Sequence, residues 1–366
     1  MREPRTFEFM HWAKRWVGKL PYCLGMSGTT PVDPSEVAPA SAGPAGPNYY
    51  GTAELKEAVA AAYGTDPDSV LVSDGTSLAN YNVLAALAGP GDGVLVETPA
   101  YPALAEIPRF HGARVDPLAR RPENDWIPSL ERIARRAADR SSPPLRAVAL
   151  SRLHNPTGAD LPDDFLRELA ALAERHDFHV LMDEVYLDFV ADARSSHAVS
   201  PRFLVTSSLT KVYGFGGLRV GWVLGDPAVL APVKELSFYL AVDGAAASQA
   251  TAVRVLAERD RFRERACSVA EQGIAIVQAW VEERADVRWT RPAGGLNAFL
   301  ELGGVSDTRA FADDLRRRRE VNVAEGEFFG MPGWIRVCCG GPPDALREGL
   351  RRIGEAMDER GRSRAS

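Results

Sequence analysis

No run in this 366-residue chain approaches the roughly 18–20 consecutive apolar residues that a membrane-spanning helix needs. Basic residues are not in excess either. Lys and Arg number 43 against 49 Asp and Glu, a net charge of −6, which gives no footprint for a nucleic-acid partner. Cysteine is scarce. Cys23, Cys267, Cys338 and Cys339 show no zinc-type spacing, so no metal is expected. The adjacent Cys338 and Cys339 lie in an apolar run and read as buried free thiols, which fits a reducing cytoplasm. The opening residues, 1–20, lack the continuous apolar core of a secretory signal. They mix charges with Phe7, Phe9, Trp12 and Trp16, the pattern of an amphipathic helix packing on the body of the protein or on a partner subunit. No internal repeat is visible.

What is present is an ordinary globular composition, 45% hydrophobic and 25% charged. The length suggests about two to three domains and a large core. A Pro-, Gly- and Ala-rich stretch over 31–47 reads as an irregular connector. Beyond it, strand-like runs at 69–73, 93–97, 146–151, 179–183, 203–208 and 219–224 alternate with helical patterns such as 54–63, 76–88 and 163–176. That alternation predicts an α/β fold with a largely parallel sheet. Residues 228–284 are mainly helical. The remainder returns to strands at 286–291, 298–301 and 334–338, with helices at 307–319 and 343–360 and a polar tail after 358 expected to fray. This is the order of a smaller α+β unit.

In such sheets, ligands bind in the loops beyond the carboxyl ends of the strands. Polar residues with chemical potential gather at those ends. Ser207–Gly221 runs from a strand through a Ser/Thr turn to Lys211, then glycines, then Arg219. A lysine desolvated near positive charge loses its proton at modest cost and can condense with an aldehyde. Ser208 and Arg219 suit a phosphate, Arg219 by paired charge-assisted hydrogen bonds. Gly75 and Thr76 open a helix after a strand, a natural anion cradle. Asp183 ends an apolar strand, where a carboxylate can pair with a protonated ring nitrogen or simply cap the next turn. Tyr186 lies three residues on.

Asn155, in His154-Asn155-Pro156-Thr157-Gly158, is held at another strand tip, either as a ligand for a phenolate oxygen or as part of a plain turn. His154 reads as a solvated turn residue. Tyr101, aimed by Pro99 and Pro102, can stack on a planar ring or pack in the core. Arg336 sits inside an apolar run. A buried guanidinium needs an anion, either a ligand carboxylate or a protein one.

Taken in order, Gly75-Thr76, Pro99-Ala100-Tyr101, Asn155-Pro156-Thr157-Gly158, Asp183-Glu184-Val185-Tyr186, the Ser208–Arg219 segment and Arg336 resemble the class I/II aminotransferases. These belong to the fold-type I enzymes that depend on pyridoxal 5′-phosphate. The resemblance covers about residues 50–336. It implies an aspartate-aminotransferase-like architecture. The expected parts are an N-terminal segment (1–45) that joins a small domain and covers the active site, a large cofactor-binding domain (46–255) with a mostly parallel seven-stranded sheet flanked by helices, and a small C-terminal domain (256–366).

By the same resemblance, Lys211 is the Schiff-base lysine and Asp183 the partner of the pyridine nitrogen. Asn155 and Tyr186 are the phenolate-oxygen partners. Gly75, Thr76, Ser208 and Arg219 are phosphate ligands, Tyr101 is the stacking aromatic, Arg336 anchors the substrate α-carboxylate, and Gly28 lies over the substrate. The implied reaction is amino transfer between an L-amino acid and a 2-oxo acid by a ping-pong route, in a homodimer with shared active sites.

Two departures qualify that picture. The tyrosine that many relatives send into the neighbouring subunit is not at its usual distance from the Gly51 turn, so either Tyr49 or Tyr50 takes the part from a shifted loop or the part is absent. No Arg occurs between Lys234 and Gln249, which argues against a strong aspartate preference. Related enzymes also run lyase or cyclase chemistry, and the region of Trp12, Trp16 and Ser27–Pro31 is similar to a subgroup that includes amino-acid cyclases of antibiotic pathways. A cofactor-binding transcription regulator would need about 70 residues of DNA-binding module ahead of the first matching segment. About 45 precede it here.

Overall fold

The computed structural model describes residues 3–37, 49–190 and 192–365. Most of the expected connector, 38–47, lies outside them. The centre is a seven-stranded sheet of β1 (Val70–Ser73), β2 (Gly93–Thr98), β3 (Arg114–Ala119), β4 (Leu145–Ser151), β5 (His179–Asp183), β6 (Phe203–Ser208) and β7 (Gly221–Leu224). Its order is β1-β7-β6-β5-β4-β2-β3. Only β7 runs against its neighbours. The five strands from β6 to β3 are parallel.

Parallel sheets covered on both faces need apolar residues on both sides of every strand. The strands comply. Along β4 and β5, Val148, Leu150, Val180 and Met182 belong to one core. Ala147, Ala149 and Leu181 belong to another on the opposite face. The covering helices are amphipathic to match. Asp163–His176 buries Phe165, Leu166, Leu169, Ala170 and Ala173 and stops at Asp177 in the left-handed conformation, φ 55°.

One strand escapes the apolar pattern of the sequence. The edge strand β3, Arg-Val-Asp-Pro-Leu-Ala, alternates exposed and buried residues and contains Pro117. A proline is tolerated there because an edge has no second neighbour to receive its missing N–H. The expected strand at 219–224 begins only at Gly221, because Arg219 adopts the left-handed conformation, φ 55°.

A second sheet is antiparallel, ordered Ala324–Glu325, Trp334–Cys338, Asn297–Leu302, Val287–Arg288, with its own core beneath. The 24-residue helix Arg259–Glu282 leads to it. The last helix, Pro343–Ala365, continues past the point where fraying is expected.

The N-terminal helix is Glu8–Trp16, burying Phe9 and Trp12. After it, Tyr22–Cys23 pairs with Val321–Asn322, and Leu24 O accepts from Cys338 N at 2.7 Å. These bonds carry residues 26–29 across the carboxyl ends of the large sheet. Leu181, fully buried in the middle strand, tests the sheet's contribution to stability. Leu181→Ala is expected to cost about 2–5 kcal/mol, read as a lower urea midpoint with an unchanged m-value.

Candidate active site

Because β4, β5 and β6 are parallel and in register, Ser151, Asp183 and Thr206 stand in one row across the sheet. The loops beyond that row enclose a cavity of about 670 Å³. Lys211 reaches it from the turn after β6. Its Nζ donates to Ser27 Oγ at 2.8 Å. Burial, helped by the Arg336 charge and opposed by Asp183, lowers the amine to about 8, so the neutral form is a minority near physiological pH but far more populated than in a free lysine. Gly28 lies directly over the lysine. A Cβ there would be 3.6 Å from Lys211 Cδ, and Thr29 N donates to Lys211 O at 3.1 Å.

Asp183 is buried at the tip of β5. Asn80 Nδ2 donates to its Oδ2 at 2.7 Å, and Val185 N to its Oδ1 at 3.1 Å. Thr206 in turn donates to Asn80 Oδ1 at 2.6 Å, which fixes the amide's orientation. Desolvation raises the Asp183 carboxyl, while these donors and Lys211 pull it back toward the charged form. Tyr186 OH donates to Ser27 O at 2.6 Å, and burial pushes the phenol up to about 12, keeping it protonated.

Arg336, fully buried in Trp334–Cys338, donates to Asn155 Oδ1 at 2.8 Å and to Met26 O at 3.3 Å. Phe9 and Phe329 pack on its guanidinium, 5.8 and 5.3 Å from the ring centroids. No carboxylate among the described residues pairs with it, and its Nε has no hydrogen-bond partner. Of the two readings of Arg336, the protein ion pair is therefore absent from the described residues.

An anion cradle occupies the other end. The helix Thr76–Leu87 starts at Gly75, φ 85°, with no side-chain cap. The Thr76 hydroxyl is buried without a partner. Arg219 crosses over Gly75, donating to Asp74 O at 3.0 Å and Gly216 O at 3.2 Å. Ser208 accepts from Thr210 N at 3.3 Å. A free helix N-terminus, an orphaned hydroxyl and a guanidinium together call for a dianion such as phosphate.

The residues singled out from sequence thus converge. Thr76, Tyr101, Asn155, Asp183, Tyr186, Ser208, Lys211, Arg219 and Arg336 line one cavity, with Gly75 and Gly28 against Arg219 and Lys211. Tyr101 also packs on Phe7 and Phe9 at 5.8 and 5.9 Å.

One reading is corrected. His154 is not solvated but fully buried, donating through Nε2 to Pro99 O at 2.8 Å while Nδ1 accepts from Thr157 Oγ1 at 2.7 Å. Burial and Arg120 keep it neutral.

Sequence reasoning passed over two contributors. Asn80 lies one helical turn past Thr76 on the same face, a spacing that could have flagged it. Ser27 figures there only as part of the segment around Gly28, and its contact with Lys211 depends on the chain path. Tyr50 packs on Phe238, centroids 4.7 Å apart, and Tyr49 is largely exposed beside it. Neither lines the cavity of its own chain.

An amine, a buried carboxylate and an anion-binding helix N-terminus thus lie together at the carboxyl edge of the sheet. Residues 44–353 match the family described as aminotransferase class I and II. The arginine–pyruvate transaminase AruH of Pseudomonas aeruginosa is 32% identical, over 79% of this chain and 74% of its own. The capreomycidine synthase of Streptomyces vinaceus is 30% identical, over 86% and 81%. The crystal structure of a PLP-dependent aminotransferase from Streptococcus suis superimposes with a TM-score of 0.89 at 26% identity, covering 98% of this chain and 99% of that one. This chain belongs to the class I and II aminotransferases. It is a pyridoxal-phosphate-dependent enzyme that acts on amino acids and 2-oxo acids.

Gly75 is the most stringent point of the cradle. A Cβ there would lie 2.5 Å from Arg219 Nη2, at a φ of 85° that side chains rarely adopt. Gly75→Ala is expected to cost about 1–3 kcal/mol in backbone strain. It should also weaken cofactor binding, measured by fluorescence titration of the apoprotein with pyridoxal phosphate.

Proposed function

We propose that the enzyme moves the amino group of an L-amino acid to a 2-oxo acid in two half-reactions at a site built on Lys211. The observation that carries this is the lysine itself, a half-buried amine of lowered pKa that lines one cavity with Asp183 and Arg336. The orphaned Thr76 hydroxyl and the uncapped helix fit the cofactor's phosphate, which Gly75, Thr76, Ser208 and Arg219 would hold. Asp183 would face the ring nitrogen, Asn155 and Tyr186 the phenolate oxygen, and Tyr101 the ring.

When bound, pyridoxal phosphate supplies an electron sink for the charge left on the substrate's α-carbon. The protein does the rest. Arg336 grips the α-carboxylate with a planar fork and so fixes which bond of the α-carbon faces Lys211. The neutral Lys211 amine takes the α-proton and delivers it to the acceptor carbon, a step in which a positioned base is worth roughly 10²–10⁴-fold. Ser27, as the amine's hydrogen-bond acceptor, would hold it in place whenever it is free of the cofactor. Asp183, kept oriented by Asn80, holds the ring nitrogen's proton. The helix Glu8–Trp16, with Gly28, limits access of water from above.

The working form is a homodimer. Tyr239, Leu240 and Val242 form an exposed apolar run, 85%, 47% and 57% accessible, close to Tyr49 and Tyr50 on Phe238. A partner covering that surface would receive one of these tyrosines. Four free cysteines suit a reducing cytoplasm. Full activity at a monomeric mass by light scattering would refute the dimer.

A relative named a synthase rather than a transaminase keeps the lyase or cyclase alternative alongside. The two separate in one experiment. Holoenzyme is mixed with single amino acids in the absence of any 2-oxo acid. Amino transfer converts the cofactor's absorbance once and stops, releasing one equivalent of 2-oxo acid. Continued turnover, with ammonia, another leaving group or a ring-closed product released, would overturn it.

Two further outcomes are expected. Arg336→Met should raise KM for both substrates by about 10–100-fold, the value of a charged hydrogen-bonded contact, with little change in cofactor affinity. Attachment of cofactor to apoprotein needs the neutral Lys211 amine. Its rate should therefore rise about tenfold per pH unit below pH 8 and level off above. Because the folded value lies below that of a free lysine, this group's contribution to stability grows as pH rises from about 8 toward the free value.

A further inference from the structure

Beneath the cavity floor lies a second cluster of charged groups that the reaction does not use. Glu97, at the end of β2, and Arg120, just after β3, have fully buried side chains 2.9 Å apart, Oε2 to Nε. The pair is off the line of a good hydrogen bond, and Arg120 Nη1 has no partner. Buried pairs of this kind seldom add net stability, since desolvation offsets their attraction. Their attachments are more informative.

Ser151 Oγ donates to Glu97 Oε1 at 2.5 Å, and Arg120 Nη2 donates to Ser151 O at 3.3 Å. Ser151 Oγ then accepts from Asn155 N at 3.4 Å. Asn155 Oδ1 is the acceptor for Arg336. On the other side, His154 Nε2 lies 3.8 Å from Glu97 Oε1 and ties its own loop to Pro99 O, two residues before Tyr101. The cluster therefore connects the end of β4 at Ser151 with the two loops that carry Tyr101 and Asn155.

We propose that Glu97, paired with Arg120 and linked through Ser151, is a positioning residue that fixes Asn155 against the cofactor and Arg336. Asn155 is a short side chain on a Pro-Thr-Gly turn. Its amide must serve two clients, giving its oxygen to Arg336 and leaving its NH2 for a ring oxygen. A rotation of its backbone by the loss of the Ser151 contact would disturb both. Glu97 touches neither ligand and acts only through this chain. His154, neutral and doubly bonded, holds the Tyr101 loop to the same frame.

The inference rests on Asn155 as a partner of the cofactor's phenolate oxygen, and a double-mutant cycle in holoenzyme keeps the two ideas separable. The variants are Glu97→Gln, Asn155→Ala and the two combined. Glu97→Gln together with Arg120→Met serves as a charge-balanced control that removes the buried pair without stranding either charge. The readouts are the pH at which the cofactor's absorbance changes, and kcat and KM for one half-reaction.

Asn155→Ala is expected to shift the absorbance transition. Glu97→Gln and the charge-balanced variant should shift it in the same direction and lower kcat by about tenfold or more, as small misplacements of a reacting group do. In the Asn155→Ala background, Glu97→Gln should add nothing to the spectral shift. If Asn155→Ala leaves the transition where it was, the reading of Asn155 fails and this proposal falls with it. If Asn155→Ala shifts it while the Glu97 variants keep spectrum, kcat and KM within twofold and only lower the melting temperature, the pair is structural and the proposal is overturned. Additive shifts would overturn it as well.

Discussion

Keeping an ammonium ion out of water is costly, and Lys211 is half-buried in the cavity wall. The site is organised around that cost. Burial favours the neutral amine, and Arg336 pushes in the same direction. Asp183 opposes both, so the amine is lowered to about 8 rather than held permanently uncharged. The same low dielectric raises the Asp183 carboxyl, and Asn80 and the Val185 amide hold it back. Lys211 is thus tuned by Asp183 and Arg336, and Asp183 by Lys211, and each depends on the walls that exclude water.

Those walls come from three parts of the chain. The large sheet brings the carboxyl ends of β2, β4, β5 and β6 to one edge. The second sheet contributes Arg336 from the middle of a strand, where neighbouring strands hold its backbone rigid. The N-terminal segment, pinned to Val321–Asn322 and Cys338, lays Ser27 and Gly28 over the lysine. Aromatic packing among Phe9, Trp12, Phe299, Phe329 and Trp334 welds that segment to the second sheet. A residue at the start of the chain and one near its end therefore meet at the same guanidinium.

Residues that only support the reacting groups obey one rule. Asn80 and Thr206 orient Asp183, and Ser151 with Glu97 stands behind Asn155. In each case a buried polar atom bonds to another that is itself bonded, although Glu97 Oε2 and Arg120 Nη1 lack hydrogen-bond partners. Such chains make a site stiff. They also explain why a dry interior holds so many charges without coming apart. The exceptions are instructive. Thr76 Oγ1 and Arg336 Nε remain without partners, on two residues that line the cavity.

Much of this could be read from residue order. Apolar strands such as Val-Leu-Met-Asp and Phe-Leu-Val-Thr announce their own burial, and a polar residue closing each run marks the edge where ligands bind. That is local information, since period and composition lie within a few residues. Lys211, Asp183, Asn155 and Arg219 were visible for the same reason. Edge strand β3 was not, because its alternation and Pro117 make sense only once it is known to be an edge. His154 looked like a turn residue because burial is a property of what packs on a loop. Ser27 and Asn80 became contributors through contacts across 184 and 103 positions of chain. The sequence by itself determined which groups could do the chemistry and on which strand ends they sit. Only the tertiary structure decided which of them meet, because distance, burial and the sharing of hydrogen bonds are set by packing between segments that carry no mark of one another.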